Sequence, residues 1–305
     1  MNMQKKQIKT IFFGNNHLVL DHLIKIADVV SIFCRPQDTD DDNIFKIKEL
    51  AKEHSISVYQ PNKKDLYNYV SYIENLDVDL IVVCGYKYII PEEIFDIPKY
   101  KAINIHPSYL PAYRGQHVIN WAIINGEKET GVTIHYIDKD IDTGNVIVQK
   151  KVPILFDDTS LTLSDNIYSE ACKLLQSVID RIVSGETLQA KKQNNAESTY
   201  FKPRTPEDSR IDWNIDGVEI YNLIRALVKP WPGAYSYIKD KKIIIRDAKY
   251  ENILLNCEHG KIINICDSTL IISVKGGQLV VNDYTIIDEN DNMVHLSIEI
   301  GNELE

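Results

Sequence analysis

The sequence has no apolar run approaching the ~20 residues that a membrane-spanning helix needs, so no membrane partner is expected. Met1 to Thr10 is basic, but the apolar residues after it break at Gly14-Asn15-Asn16. They are too few for a signal-peptide core, no small-residue cleavage site follows, and a cytoplasmic location is expected. Cysteine is sparse: Cys34, Cys84, Cys172, Cys257 and Cys266 are scattered, odd in number and form no CxxC pair. That excludes a disulfide framework and a zinc-ribbon pattern and leaves five reduced packing thiols. HxxxH and HExxH are missing as well, so no metal is expected. The G-x-G-x-x-G fingerprint is absent, which argues against NAD or FAD. The single glycine of Phe13-Gly14-Asn15 suits a tight strand-to-helix turn, with a helix N-terminus open to a phosphate or carboxylate. Positive charge is short too: 34 Lys and Arg stand against 44 Asp and Glu, a net charge of −10. From Pro206 onward ten basic residues face seventeen acidic ones, a net of −7. A chain that wraps a polyanion usually shows the opposite sign, so no nucleic acid partner is expected.

What is present reads as a globular α/β enzyme. The 305 residues, 44% hydrophobic and 26% charged, suffice for one large and one small domain. Strands are expected at Ile8 to Phe13, Val29 to Phe33, Ser57 to Tyr59 and Leu80 to Cys84. Helices are expected between them at Leu18 to Ile26, Ile44 to His54 and Leu66 to Asn75, with Asp38 to Asp42 a solvated acidic loop. This alternation describes a doubly wound, mostly parallel sheet. Further on come a helix over Val118 to Asn125, strands at Gly131 to Ile137 and Val146 to Val152, and a long amphipathic helix from Leu161 to Val183. Composition turns polar over Lys191 to Thr205, as in a linker. After a helix at Val218 to Val228 and a rigid Pro230-Trp231-Pro232 turn, five short β runs predict a small barrel or sheet. The domain boundaries expected are 1–190, 191–205 and 206–305.

The chain is organised around Asn104-Ile105-His106-Pro107-Ser108-Tyr109-Leu110-Pro111. Residues two apart in a strand share a face, so Asn104 and His106 point the same way, and Pro107 ends the ladder where the imidazole emerges. Open α/β sheets place ligands at that end of a strand. The later turn Asp142-Thr143-Gly144 follows a crossover that can return beside His106. An amide donor, an imidazole base and a carboxylate suit acyl transfer to an amine. The Asn104 amide can hold an oxyanion, His106 can move a proton, and Asp142 can orient His106 and raise its pKa. No activated Ser or Cys is needed, because the nucleophile comes with the substrate.

Asn104 to Gly115, with Gly131-Val132-Thr133-Ile134-His135 and Asp138…Asp142-Thr143-Gly144, resembles the formyltransferase family that uses N10-formyltetrahydrofolate. The resemblance implies a Rossmann-like catalytic domain and a smaller C-terminal domain of one helix plus an OB-like β-barrel. It implies that Asn104 stabilises the transition state, His106 transfers the proton and Asp142 tunes His106. It also implies N10-formyltetrahydrofolate as co-substrate, held by backbone groups of Tyr88, Ile89 and Ile90 and by the loop Asp138, Lys139, Asp140, Ile141 and Asp142. Gln116 has two readings, a folate contact or a polar residue at a helix N-terminus.

Tyr200 to Trp213 and Lys229 to Tyr237, with the region from Asn120 to Thr133, are similar to the module of that family acting on UDP-4-amino-4-deoxyarabinose. They imply an N-formyltransferase for a nucleotide-linked amino-deoxy sugar of surface polysaccharide, with UDP, dTDP or GDP as carrier, and a homodimer. Arg204 either contacts the nucleotide phosphate or caps the linker, and Trp231 is expected to pack between domains. Methionyl-tRNA formyltransferase is the alternative, since it shares architecture and length. Against it stand the acidic C-terminal domain and Ala112-Tyr113 before Arg114, where a tryptophan-rich insertion would stand. A folate-dependent hydrolase is a third reading, separable by released formate.

Overall fold

The computed structural model describes residues 8–36, 42–253, 255 and 257–305. Most of the basic start and the acidic residues 38–41 lie outside them. Contacts divide the chain into two units, each assembled from separate stretches of sequence. One comprises 1–115, 131–152 and 166–200; the other comprises 116–130, 153–165 and 201–305. Residues 191–200, polar and linker-like in composition, therefore belong to the first unit.

In the first unit, β1 (Lys9–Gly14), α1 (His17–Ile26), β2 (Asp28–Phe33), α2 (Asp42–Glu53) and β3 (Ser57–Tyr59) open the alternation. It continues through α3 (Val70–Leu76), β4 (Leu80–Cys84), α4 (Glu92–Phe95) and β5 (Ala102–His106). Two-residue strands β6 (Arg114–Gly115) and β9 (Tyr200–Phe201) pair separately. After α5 (Val118–Ile124), β7 (Glu129–Tyr136) and β8 (Val146–Pro153) complete a seven-stranded sheet ordered β3-β2-β1-β4-β5-β7-β8. The ladders from β3 to β5 are parallel and β5 pairs antiparallel with β7. Strand β1 is apolar on both faces, as a strand covered on both sides must be. Gly14 ends it because a Cβ there would overlap the Cys84 carbonyl oxygen. The Asn16 side chain then accepts the Val19 N–H at 3.0 Å and caps α1, as the turn Gly14-Asn15-Asn16 predicts. Phe13 and Phe33 stack with centroids 4.4 Å apart in a core that includes Ile11, Ile81, Val83, Ile90 and Ile94.

The second unit holds α5, α7 (Gly217–Ala226) and the five-stranded antiparallel sheet β10 (Ala234–Ile238), β11 (Lys241–Glu251), β14 (Gly277–Ile287), β13 (Thr269–Val274), β12 (Ile262–Cys266), in that order. The Asn120 amide donates to the Ala226 carbonyl at 2.6 Å and joins the two helices. Trp231 packs edge-on against His117, 4.8 Å away, inside this unit. The long helix α6 spans Ser160–Val183. Among the described residues no helix is long and apolar enough to cross a membrane.

Phe33 is fully buried, so Phe33→Ala should cost about 3–5 kcal/mol, seen as a lower urea midpoint. Leu18→Ala, at a 42% exposed position, should change stability by less than about 0.5 kcal/mol. Equal effects at the two positions would contradict this placement of the core.

Candidate active site

The first unit brings Asn104, His106 and Asp142 together. Strand β5 delivers the first two on one face, and its antiparallel register with β7 sets Asn104 opposite His135 and His106 opposite Thr133. Beyond Pro107 the chain turns tightly. The Thr133 hydroxyl donates to the Ser108 carbonyl at 2.7 Å and accepts the Leu110 N–H at 3.1 Å, while the Ser108 hydroxyl donates to the Ala112 carbonyl at 2.7 Å. Asp142 arrives on the loop after β7. Its φ of 56° is left-handed, a strained conformation that Asp tolerates better than most residues. Gly144 is required two residues later, because a Cβ there would overlap the Tyr136 carbonyl oxygen.

The Asp142 side chain is only 10% exposed, and each of its oxygens has partners. Oδ2 accepts the Gly115 N–H at 2.9 Å and lies 3.5 Å from His106 Nδ1. Oδ1 accepts from the Asn104 amide at 3.3 Å and lies 3.7 Å from His135 Nε2. Burial opposes ionisation of Asp142, but the two imidazoles and the Gly115 N–H outweigh it and hold the carboxyl well below the usual carboxylate range. Burial pushes the His106 pKa down from its ordinary value; Asp142 and the Tyr113 carbonyl pull it up, while His135 and Arg114 add to the lowering. His106 Nε2 sits 2.7 Å from the Tyr113 carbonyl, a contact that requires Nε2 to carry the proton. Tyr113 presents that carbonyl from a second left-handed backbone, φ 59°. The Asn104 amide nitrogen is also 3.2 Å from His135 Nε2, so both of its hydrogens have acceptors. His135 Nδ1 in turn meets the Tyr136 carbonyl at 2.8 Å.

The residues expected at the folate lie on two loops. Tyr88 packs at a right angle to Tyr86, Ile90 is buried, and Ile89 is 57% exposed. Asp138 accepts the Asp140 N–H at 3.3 Å and the Thr143 hydroxyl at 2.6 Å, which shapes the second loop; Ile141 is exposed. Lys139 pairs with Glu92 at 2.9 Å, just beyond the first loop, and Ile137 packs on the same core as Tyr86, Tyr88 and Ile90. Asp140 is exposed. Ile89 and Ile141 are exposed apolar side chains, one on each loop. Gln116 belongs to the second unit, where its N–H donates to the Phe201 carbonyl at 3.1 Å. Arg204, also in that unit, places its guanidinium 5.1 Å from the Trp121 ring centre and donates to the Asp208 carbonyl and the Ser209 hydroxyl. Its Nη1 is buried with no hydrogen-bond partner among the described residues.

Two participants escape the sequence reading. His135 is legible only through its register opposite Asn104. Gln193 lies in the polar stretch; its amide donates to the Asp142 and Gly144 carbonyls and accepts from Arg114, partners that no spacing pattern reveals.

Taken together, an amide and an imidazole at the end of β5 meet a carboxylate from the loop after β7, an arrangement that suits group transfer. Residues 14–179 match the formyl transferase model and residues 204–294 the formyl transferase C-terminal domain model. The chain is similar to the methionyl-tRNA formyltransferase of Sulfurihydrogenibium sp., 41% identical over 76% of this chain and 74% of that one. It is also similar to the bifunctional polymyxin resistance protein ArnA of Wigglesworthia glossinidia brevipalpis, 38% identical over 79% of this chain, and spans 38% of that protein's length. Among solved structures it resembles the N-formyltransferase of Helicobacter canadensis in complex with folinic acid and dTDP-3-aminofucose. The TM-score is 0.70 and the identity 25%, covering 91% of this chain and 99% of that one. The chain belongs to the formyl transferase family.

Burial of His106 has a consequence for stability. Because its folded pKa lies below about 6.5, the unfolded chain binds more protons as the pH drops through that value, and stability falls. Asp142, with a depressed pKa, loses its contribution only below about pH 4. Between pH 7.5 and 5.5, on the order of one pH unit either side of 6.5, the thermal midpoint of the wild type should fall more steeply than that of His106→Gln. Parallel profiles would contradict a buried, neutral His106.

Proposed function

We propose that this formyl transferase moves the formyl group of N10-formyltetrahydrofolate to the amine of a nucleotide-linked amino-deoxy sugar. The observation that carries the acceptor is charge: −10 overall and −7 beyond Pro206, a poor surface for a polyanionic tRNA. The resemblance to an N-formyltransferase solved with dTDP-3-aminofucose supports the same reading. So does the second unit's chemistry, where Arg204 lies beside Trp121, itself 5.6 Å from Phe201. A guanidinium next to aromatic faces suits a nucleoside diphosphate. The 41% identity with a methionyl-tRNA formyltransferase favours tRNA as a second reading.

In this mechanism the sugar amine attacks the formyl carbon and His106 Nε2 takes the amine's proton. The proton already on Nε2 must first move to Nδ1, facing Asp142, and the Tyr113 carbonyl must let go. The Asn104 amide donates to the oxygen that gathers negative charge, releasing its 3.3 Å contact with Asp142. His106 then delivers its proton to the departing folate nitrogen, and Asp142 keeps the ring oriented throughout. Tyr88, Ile89, Ile90 and the 138–141 loop would hold the folate.

The test is a competition. With N10-formyltetrahydrofolate supplied, UDP-, dTDP- and GDP-linked amino sugars and uncharged-amine-control and initiator methionyl-tRNA substrates are assayed for formylated product by mass. One class of nucleotide sugar should be formylated far faster than tRNA. Formylation of methionyl-tRNA alone would transfer the chain to the second reading, and formate release without any acceptor would make it a hydrolase. For the preferred acceptor, Asn104→Ala should lower kcat by about 10²–10³-fold. His106→Ala and Asp142→Ala should cut turnover far more than binding of the nucleotide sugar. Unchanged turnover in any of the three would remove that residue from the mechanism.

A further inference from the structure

We infer that Gln193 is a positioning residue for the transfer reaction, clamping the Asp142 turn to the buried Arg114 so that the carboxylate stays on His106. The inference rests on the formyl-transfer reading of the site above. Arg114 is 1% exposed, and four hydrogen bonds of its guanidinium end on uncharged side chains. Nε and Nη2 donate to Gln193 Oε1 at 3.2 and 2.7 Å, Nη2 to Asn195 Oδ1 at 2.9 Å, and Nη1 to the Tyr200 hydroxyl at 2.6 Å. With its oxygen fixed by the guanidinium, the Gln193 amide can turn only its NH₂ toward the site. That group donates to the Asp142 carbonyl at 2.9 Å and the Gly144 carbonyl at 2.7 Å. The two bonds straddle Thr143 and hold the left-handed backbone of Asp142. Gln193 is itself buried, so no water can substitute cheaply for either bond.

The surrounding chain repeats the arrangement. Lys191 exchanges two backbone bonds of 2.8 Å with Val146, and Thr199 accepts the Arg114 N–H at 2.8 Å and, through its hydroxyl, the Tyr113 N–H at 2.8 Å. Residues 191–200 are thus a strap across both loops that meet His106, the one bearing Asp142 and the one bearing Tyr113 and Gly115. Arg114 has a further part, because its charge disfavours protonation of His106. The groups acting on His106 are then Asp142, His135, Arg114 and the Tyr113 carbonyl, and Gln193 controls the distance of the first while sharing contact with the third.

The test uses the full chain and two substitutions. Gln193→Leu removes the donors and the acceptor; Gln193→Glu keeps an acceptor for Arg114, as a better partner for the cation, but removes both donors. The His106 imidazole is followed by NMR of ¹⁵N-histidine-labelled protein, assigned with His106→Gln, a readout that needs no substrate. In Gln193→Leu, which adds no charge, His106 should titrate lower than in the wild type, by about half a pH unit, as the carboxylate drifts away; Gln193→Glu, which brings a new carboxylate to Arg114, is read by kcat. With the formyl acceptor, kcat should fall about tenfold or more with KM nearly unchanged. An unshifted His106 titration overturns the inference, whether kcat is retained or is lost together with thermal stability, since the latter marks a purely structural role. Wild-type protein without formyl transfer would defeat the functional reading, while the titration would still decide the clamp.

Discussion

The Asp142 carboxylate, nearly removed from water, is the group on which the rest of the site depends. A buried charge is tolerable only when its surroundings supply nearly all the hydrogen bonds it gives up. Here the Gly115 N–H and the Asn104 amide donate to it and two imidazoles lie within 3.7 Å, the four groups coming from β5, β7 and the turn that ends at Gly115. The requirement is reciprocal. The carboxylate cannot sit there unless β5, β7 and the Pro107–Gly115 turn are in place. Left-handed backbone at Asp142 and Tyr113 follows from the same convergence, since each residue is held where its contacts are rather than where its backbone is most relaxed.

That arrangement also sets the resting state. His106 gives its Nε2 proton to Tyr113, and Asn104 commits both amide hydrogens to neighbours. The side chains that would do the chemistry are therefore satisfied, not idle. In the proposed mechanism, substrate would have to offer each of them a better partner.

Much of the sheet and the meeting of Asn104, His106 and Asp142 was legible in the sequence because both depend on short-range rules. Alternation put Asn104 and His106 on one face, Pro107 ended the strand, and a crossover length returned Asp142 to their side. The strands and helices of the sheet agree with the periodic reading to within about two residues, except that α3 starts at Val70, four residues after the expected Leu66, because Lys63–Tyr69 forms a 3-10 helix. What stayed hidden depends on long-range pairing. Arg114 was visible only as part of the Asn104–Gly115 stretch; its burial among Gln193, Asn195 and Tyr200 was not. Gln193 lies in a stretch whose polarity imitates a linker, yet the polarity serves buried carbonyls. The register that brings His135 to Asn104 is a property of the β5–β7 pair, not of either strand. Two discontinuous units could not be read from a composition shift, because 116–130 and 153–165 join the later residues only through contacts.

The most direct measurement is the ¹⁵N titration of His106 in Asp142→Asn against the wild type, with folding of the variant checked by its thermal midpoint. If the carboxylate governs the site, His106 in the folded variant will take up its proton about one pH unit lower, because burial remains and the compensating charge is gone. A His106 titration at the same or a higher pH would contradict the account.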